Sequence, residues 1–252
     1  SGTGIDYITI GTARLRPNGD TVTIQGIITR ALGAFSRIQD ATGGLSVRQA
    51  SGSFYDSLAS GGIRPGDLVK MRGILSEYAS LKQFNQADIR SFERISRDNP
   101  LPTPQLVTLS EIALHGEQYE SELITIVDMS INPAGDVNFV AARTYSISDT
   151  TELTNAVALR TPNAADSYVD GTPIPTGPFI FTGVLGQFSY SDPATGYQLL
   201  PVLVTDIDFQ VEVRESEPLP TVFALKGNYP NPFNPTTKIA FDIPKSTIVS
   251  LA

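Results

Sequence analysis

The chain has 252 residues, no cysteine, one histidine and a formal charge of −8 at pH 7. Disulfides, thiolate metal sites, cysteine nucleophiles and histidine metal clusters are thereby excluded, and the acidic balance opposes long-range attraction to nucleic acid. No apolar run approaches the ~20 residues that cross a bilayer as a helix, and glycine and proline punctuate short runs rich in Val, Ile, Thr, Tyr and Phe, the pattern of many short strands.

In chain order, the first hairpin is expected to join residues 13–15 to 21–29 through Asn18 and Gly19. Val22, Ile24 and Ile28 fall on one face of the second strand, and Gly26 marks an expected bend or bulge. Residues 34–40 and 44–49 form a second hairpin through Ala41, Thr42 and Gly43. Residues 53–60 are the single credible helix of this half, with Ser53 as N-cap and Gly61 and Gly62 at its end. Residues 67–75 alternate Val69 and Met71 inward against Lys70 and Arg72 outward, and residues 87–95 close the set. Three strands, a short helix and two more strands is the order of a small Greek-key barrel.

The second half repeats the first. Gly73 answers to Gly183, Asp40 to Asp149 and Arg48 to Arg160, and the opening stretches 7–15 and 106–114 also correspond. The expected organisation is therefore two barrel units, 1–99 and 106–214. A proline-rich linker spans 100–105, a second linker spans 215–227, and a separate segment spans 228–252.

Residues 21–29, 34–49 and 63–84 resemble the OB-fold modules of secreted bacterial proteins, extracellular nucleases among them. Gln39, Asp40, Gly43 and Gly44 in one turn, and Gly66, Asp67 and Gly73 in one strand, carry the likeness. In the second copy Glu152 and Leu153 replace the glycine pair, and Pro178 stands in for Leu68. The resemblance implies an all-β fold of two tandem OB-like Greek-key barrels. It also implies a ligand face of stacking aromatics and cations, for which Phe35, Arg37, Arg48, Tyr78 and Lys82 are the candidates, with Phe84 beside them. The competing reading puts Phe35 and Phe84 in the core and lets Arg37 and Arg48 keep a strand face soluble. The acidic total favours that second reading, so nucleic acid is disfavoured as a partner.

No catalytic constellation is legible, and no cofactor is expected. His115 reads as an exposed loop residue. Asp206 and Asp208 share a strand face and could contribute to a calcium site, but solvated positions explain them more simply.

The most specific motif comes late. Tyr229, Pro230, Asn231, Pro232, Phe233, Asn234 and Pro235, followed by a strand over 238–243, resemble the opening of the C-terminal sorting domain of type IX secretion cargo, an immunoglobulin-like sandwich. That resemblance implies export, the secretion machinery as a transient partner, and a secreted or cell-surface location. Short triplets at 20–22, 56–58 and 149–151 resemble the O-glycosylation sequon of exported Bacteroidota proteins. Ile239, Phe241 and Ile243 form one apolar face, and residues 248–251 are expected to supply a second strand. An isolated hairpin is marginal in water, so the expectation is that these strands augment a sheet in another copy of the chain. On that reading the protein is a non-enzymatic extracellular structural subunit, possessing itself as partner and able to form filaments. The alternative is an oligonucleotide- or glycan-binding accessory module of a larger secreted enzyme.

Overall fold

The structure is a computed structural model that describes residues 6–151, 156–209, 224–229 and 238–242. The described residues up to Phe209 belong to one compact unit, and the later ones to a second.

The first half of the large unit opens with a helix, not a strand. Helix α1 (Ile10–Arg14) forms because the Thr9 hydroxyl accepts a hydrogen bond from the Thr12 amide, while Asp40 Oδ2 accepts from the Ile10 amide at 2.8 Å. Two of the orphan amides of a helix N-terminus are satisfied in this way. Ile10 and Ala13, one turn apart, then drop into the core. The hairpin expected from residue 13 is absent for that reason, although Asn18 and Gly19 do form a turn.

Strands β1 (Thr21–Leu32), β2 (Phe35–Asp40) and β3 (Gly43–Arg48) run as an antiparallel meander. Val22, Ile24 and Ile28 are buried on one face as expected. The register of β1 against β2 breaks between Ile28 and Arg30, and not at Gly26. Helix α2 (Ser53–Ala59) follows, with Gly52 as its N-cap in place of Ser53. The missing cap side chain is replaced from a distance, since Gln49 Oε1 accepts from the amides of Phe54 and Tyr55.

Strand β4 (Leu68–Ile74) pairs with β1, burying Val69 and Met71. The chain bends at Leu75 into β5 (Ser76–Tyr78), which pairs with β6 (Leu81–Asn85). Strand β6 lies parallel to β3 and closes a five-stranded barrel. Strand β7 (Ile89–Ser96), the stretch expected to close it, is instead an outer addition to β4 with mostly exposed side chains. The order of meander, helix, bent strand and parallel closure is that of the OB fold.

The second half has the same order. It comprises β8 (Gln105–Leu106), α3 (Leu109–His115), β9 (Leu123–Ile131), β10 (Thr144–Ser148), β11 (Ala158–Arg160), β12 (Phe179–Gln187), β13 (Tyr197–Leu200) and β14 (Ile207–Phe209). Strand β12 pairs with β9 and β13, and β13 lies parallel to β11. Where the first barrel has α2, this one has a loop with a single 3-10 turn at Ala164–Asp166.

The residue equivalences read from sequence hold in the register. Gly73 lies opposite Val22 of β1, and Gly183 opposite Ile124 of β9. Arg48 and Arg160 each come directly after a residue paired with the closing strand, Val47 with Phe84 and Leu159 with Leu199, and Arg48 continues that pairing with Asn85. Asp149 Oδ2 accepts from the Leu109 amide at 2.8 Å, as Asp40 does from Ile10, and Thr108 caps α3 as Thr9 caps α1. His115 ends α3 and is exposed. Each barrel has its own apolar core, one around Ile24, Ile38 and Phe84, the other around Ile124, Tyr145 and Phe181.

In the second unit, β15 (Ala224–Tyr229) pairs antiparallel with β16 (Lys238–Asp242). Phe241 lies opposite Leu225, and Ile239 opposite Asn228. The partner of the 238–242 strand therefore precedes the prolines. Residues 248–251, where a second strand is expected, lie outside the described residues, and the linker expected over 215–227 overlaps the start of β15. Pro230, Asn231, Pro232, Phe233, Asn234, Pro235 and Ile243 lie outside the described residues, as do Glu152 and Leu153.

Candidate functional site: a recess between the two barrels

The outward face of the β1–β2–β3 meander is polar, yet Thr29, Arg37, Gln39 and Ser46 are all buried. The second barrel covers them. The segment around Glu120, Ser121 and Glu122 lies across this face. Gln39 binds it at both ends of its amide, donating to Glu122 Oε2 at 3.1 Å and accepting from the Leu123 amide at 3.0 Å. A Cβ at Gly44 would come within 2.3 Å of the Ser121 carbonyl oxygen, so only glycine admits this approach. That contact accounts for the second glycine of the pair on which the sequence resemblance rests.

Three ion pairs fasten the contact, among them Arg14 Nη2 with Glu117 Oε2 at 3.2 Å. Arg14 Nη1 meets Glu120 Oε1 at 2.5 Å, and Arg30 Nη2 meets Asp206 Oδ1 at 2.6 Å. The Asp206 carboxylate is 1 % exposed and also accepts from the amides of Val202 and Leu203. It is thus a buried anchor for Arg30, where the sequence suggested a solvated position or a calcium ligand. Asp208 faces solvent. Among the described residues, no cluster of three or more acidic, His or Cys side chains could hold a metal.

Burial pushes the Glu120 carboxyl above the ordinary glutamate range, and Arg14 works against that rise. Burial raises Glu122 likewise, opposed by its hydrogen bond from Gln105.

Beside this interface the barrels leave a recess of about 290 Å³. Its walls come from the β1–β2 corner (Arg30, Leu32, Phe35, Arg37), from Tyr78 and Leu81 around the β5–β6 turn, and from Val184, Gln187 and Phe188 of the second barrel. Arg160, Asp166 and Leu200 complete the opposite side. Asp166 Oδ1 accepts from the Ala34 amide at 3.0 Å and so ties the β1–β2 turn to the second barrel. Ser189 does the same at the β5–β6 turn, its amide donating to the Ala79 carbonyl at 2.8 Å.

Three exposed aromatic rings gather here. Tyr78 is 56 % exposed, Phe188 49 % and Tyr190 71 %. Their centroids are 5.2 to 6.2 Å apart in edge-to-face pairs, and the Tyr190 hydroxyl donates to that of Tyr78 at 2.8 Å. Tyr78 and Phe188 line the recess, and Tyr190 packs on both. Isolated exposed apolar residues are ordinary, but a contiguous aromatic cluster at a cavity is the usual mark of a contact surface.

Of the residues singled out from sequence, Phe35, Arg37 and Tyr78 line the recess. Arg48 lies just outside, its guanidinium 5.5 Å from the Phe35 ring centroid. Lys82 is elsewhere, donating to the Arg16 carbonyl. Phe84 is core. Arg37 does not keep a strand face soluble, since it is 4 % exposed and sits inside the contact between barrels. Its Nη1 donates to the Ser36 carbonyl and its Nε has no hydrogen-bond partner. Among the described residues it makes no ion pair, and burial lowers its pKa to about 10 against the pull of Glu120.

Phe188, Tyr190, Gln187 and Arg160 were missed by the sequence reading. The repeat contained the signal: Phe188 is the counterpart of Tyr78, at the end of the fourth barrel strand in each copy.

The fold and the site together define a protein of two OB barrels with a recess at their junction. No protein-family model and no curated protein matches the chain. Among solved structures, the hypothetical protein ygiW from E. coli overlaps 35 % of this chain and 89 % of its own, at 18 % identity and a TM-score of 0.29. A Replication Protein A heterotrimer bound to ssDNA overlaps 79 % of this chain and 53 % of its own, at 10 % identity and a TM-score of 0.34. Overlaps of this quality carry no statement about a ligand.

Proposed function

We propose that the chain is a non-enzymatic ligand-binding protein, exported from the cell, that holds a ring-bearing ligand such as a glycan or an oligonucleotide at the junction of its two barrels. The observation that carries this reading is the cluster of Tyr78, Phe188 and Tyr190 at the recess, three largely exposed rings held edge to face where the two barrels meet. Ring faces of this kind stack on bases and on the C–H faces of sugars. The turns that build the recess, β1–β2 and β5–β6, are those that OB folds use for ligands. The resemblance of residues 229–235 to a sorting motif supports export.

The chain has no tryptophan, so its emission comes from nine tyrosines, Tyr78 and Tyr190 of this cluster among them. Titration with a panel of oligosaccharides and single-stranded oligonucleotides should quench or shift that emission for at least one ligand class. Tyr190→Ala, an exposed change, should weaken the binding about tenfold with no loss of fold. A flat response to the whole panel would end this reading.

A second reading, self-assembly into filaments by strand augmentation, draws on the two-stranded sheet of β15 and β16. Its strands carry the expected apolar residues Ile239 and Phe241, and hairpins alone are marginal in water. Electron microscopy of the full chain beside a version ending at Glu217 separates the two readings. Monodisperse particles from both would remove the filament.

A further inference from the structure

We propose that Tyr78 and Tyr190 form a site of oxidative coupling, where a peroxide-driven one-electron oxidant joins the two rings into a dityrosine that staples the barrels together. This does not depend on any ligand of the recess. The first ground is geometry. The Tyr190 hydroxyl donates to that of Tyr78 at 2.8 Å, and the ring centroids are 5.9 Å apart at an interplanar angle of 85°. Coupling requires the carbon next to the hydroxyl-bearing one on each ring to meet its counterpart. With the hydroxyls already in contact, a small reorientation of two exposed side chains achieves that, and such motion is fast. The product is a biaryl whose rings are twisted about the new bond, so the crossed planes are no obstacle. Among the described residues, no other two tyrosine rings pack on each other.

The second ground is preorganisation. Tyr78 ends β5, Tyr190 stands in the loop after β12, and the two turns are bonded to each other at the neighbouring residues. The Ser189 amide donates to the Ala79 carbonyl at 2.8 Å, and the Ser80 hydroxyl donates to the Ser189 carbonyl at 2.8 Å. Phe188 packs on both rings, its centroid 6.2 Å from that of Tyr78 and 5.2 Å from that of Tyr190. Groups held in this way react as an intramolecular pair, at an effective concentration far above that of separate molecules in dilute solution.

The third ground is what else an oxidant could reach. Sulfur is a common target of oxidation, but the chain has no cysteine, and its two methionines, Met71 and Met129, are fully buried. Tryptophan is absent. Among the described residues, Tyr78, Tyr168 and Tyr190 are the tyrosines that stand more than half exposed, and two of these three touch each other. The step balances with hydrogen peroxide as the terminal oxidant. Each ring gives up one electron and its hydroxyl proton, and the two phenoxyl radicals join carbon to carbon. The hydrogen on each joined carbon then leaves as a proton while each oxygen regains one. One peroxide takes up the two electrons and two protons, and its O–O bond breaks to give two waters.

The test is treatment of the full chain, at low concentration, with a peroxidase and hydrogen peroxide. Dityrosine emission should appear in the fraction of single molecules, with a mass lower by two hydrogens, and peptide mapping should place the link between Tyr78 and Tyr190. Tyr78→Phe and Tyr190→Phe each keep a ring in the cluster, and each should abolish the link. Tyr168→Phe should leave its yield unchanged. The link joins residues 112 positions apart. A cross-link of that span constrains the unfolded chain, so the linked protein should melt about 5–10 °C above the unlinked one. No dityrosine, dityrosine found only between molecules, or a link that persists in Tyr78→Phe overturns the proposal. A link that forms without raising the melting temperature overturns its role as a staple.

Discussion

At the scale of single residues, the contact between the barrels is polar and buried, which makes its members unequal in cost. Removing the Arg30 guanidinium leaves the Asp206 carboxylate in a pocket where it is 1 % exposed, with the amides of Val202 and Leu203 as its remaining donors among the described residues. Breaking a buried pair from one side costs about 3–5 kcal/mol, and the amides place this case at the lower end. Urea unfolding of Arg30→Ala should therefore show a loss of about 3 kcal/mol; a loss within error of zero would mean the pair contributes nothing. Gly44→Ala drives a methyl group to 2.3 Å from the Ser121 oxygen, which no rotamer can relieve. It should cost about 1–3 kcal/mol by overpacking, while the same change at exposed Gly61, in spite of its positive φ, meets no neighbouring atom.

The glutamates add a pH dependence of unusual sign. Glu120 and Glu122 both have carboxyls raised by burial, so the folded protein holds these protons at a pH where the unfolded chain has released them. Through that window the folded state binds more protons, and their contribution to stability falls as pH rises. Lowering the pH toward the ordinary glutamate value should raise folding stability, with the gain complete below that value. In thermal scans, replacing both residues by glutamine should flatten that part of the profile. An unchanged slope would show that other groups set it.

Among the elements, the two capped helices are the cleanest test of the repeat. Thr9 and Thr108 each accept from the amide three residues on, and Asp40 and Asp149 each reach the first helical amide. Thr9→Ala and Thr108→Ala should each cost about 0.5–2 kcal/mol, and by similar amounts. A large difference between them would show that the two copies do not use the cap alike. These helices also mark where sequence reading fell short. The stretch Ile10–Arg14 is too short for helical periodicity to show, and its caps come partly from Asp40, thirty residues away. The closing strand β6 leaves little signal because Leu81–Asn85 is brief and mixes Lys and Gln with its apolar residues. Its pairing with β3 is parallel and non-local, and that leaves no local turn signal. By contrast, the alternation of β1 and β4 is set by burial on one face, and it could be read directly.

For the whole molecule, the sequence revealed two barrels but not that one would lie across the other. A face of Arg37, Gln39 and Ser46 reads as solvated until the segment around Glu120 to Glu122 covers it, and no periodicity reports such a contact. The ligand face expected on one barrel is accordingly displaced to the junction, where half of the lining comes from the second copy. One ring of the three in the aromatic cluster, Tyr78, is legible in the sequence; Phe188 lies at the matching position of the repeat, and Tyr190 answers to Ser80 and leaves no such signal. The account's central claim is that this junction is where ligand binds, and it is tested most directly by NMR. Side-chain resonances of Tyr78, Phe188, Tyr190 and Phe35 should shift together, in proportion to occupancy, as an oligosaccharide or oligonucleotide that quenches the tyrosine emission is added. Shifts confined to other surfaces, with these four unmoved at saturation, would contradict it.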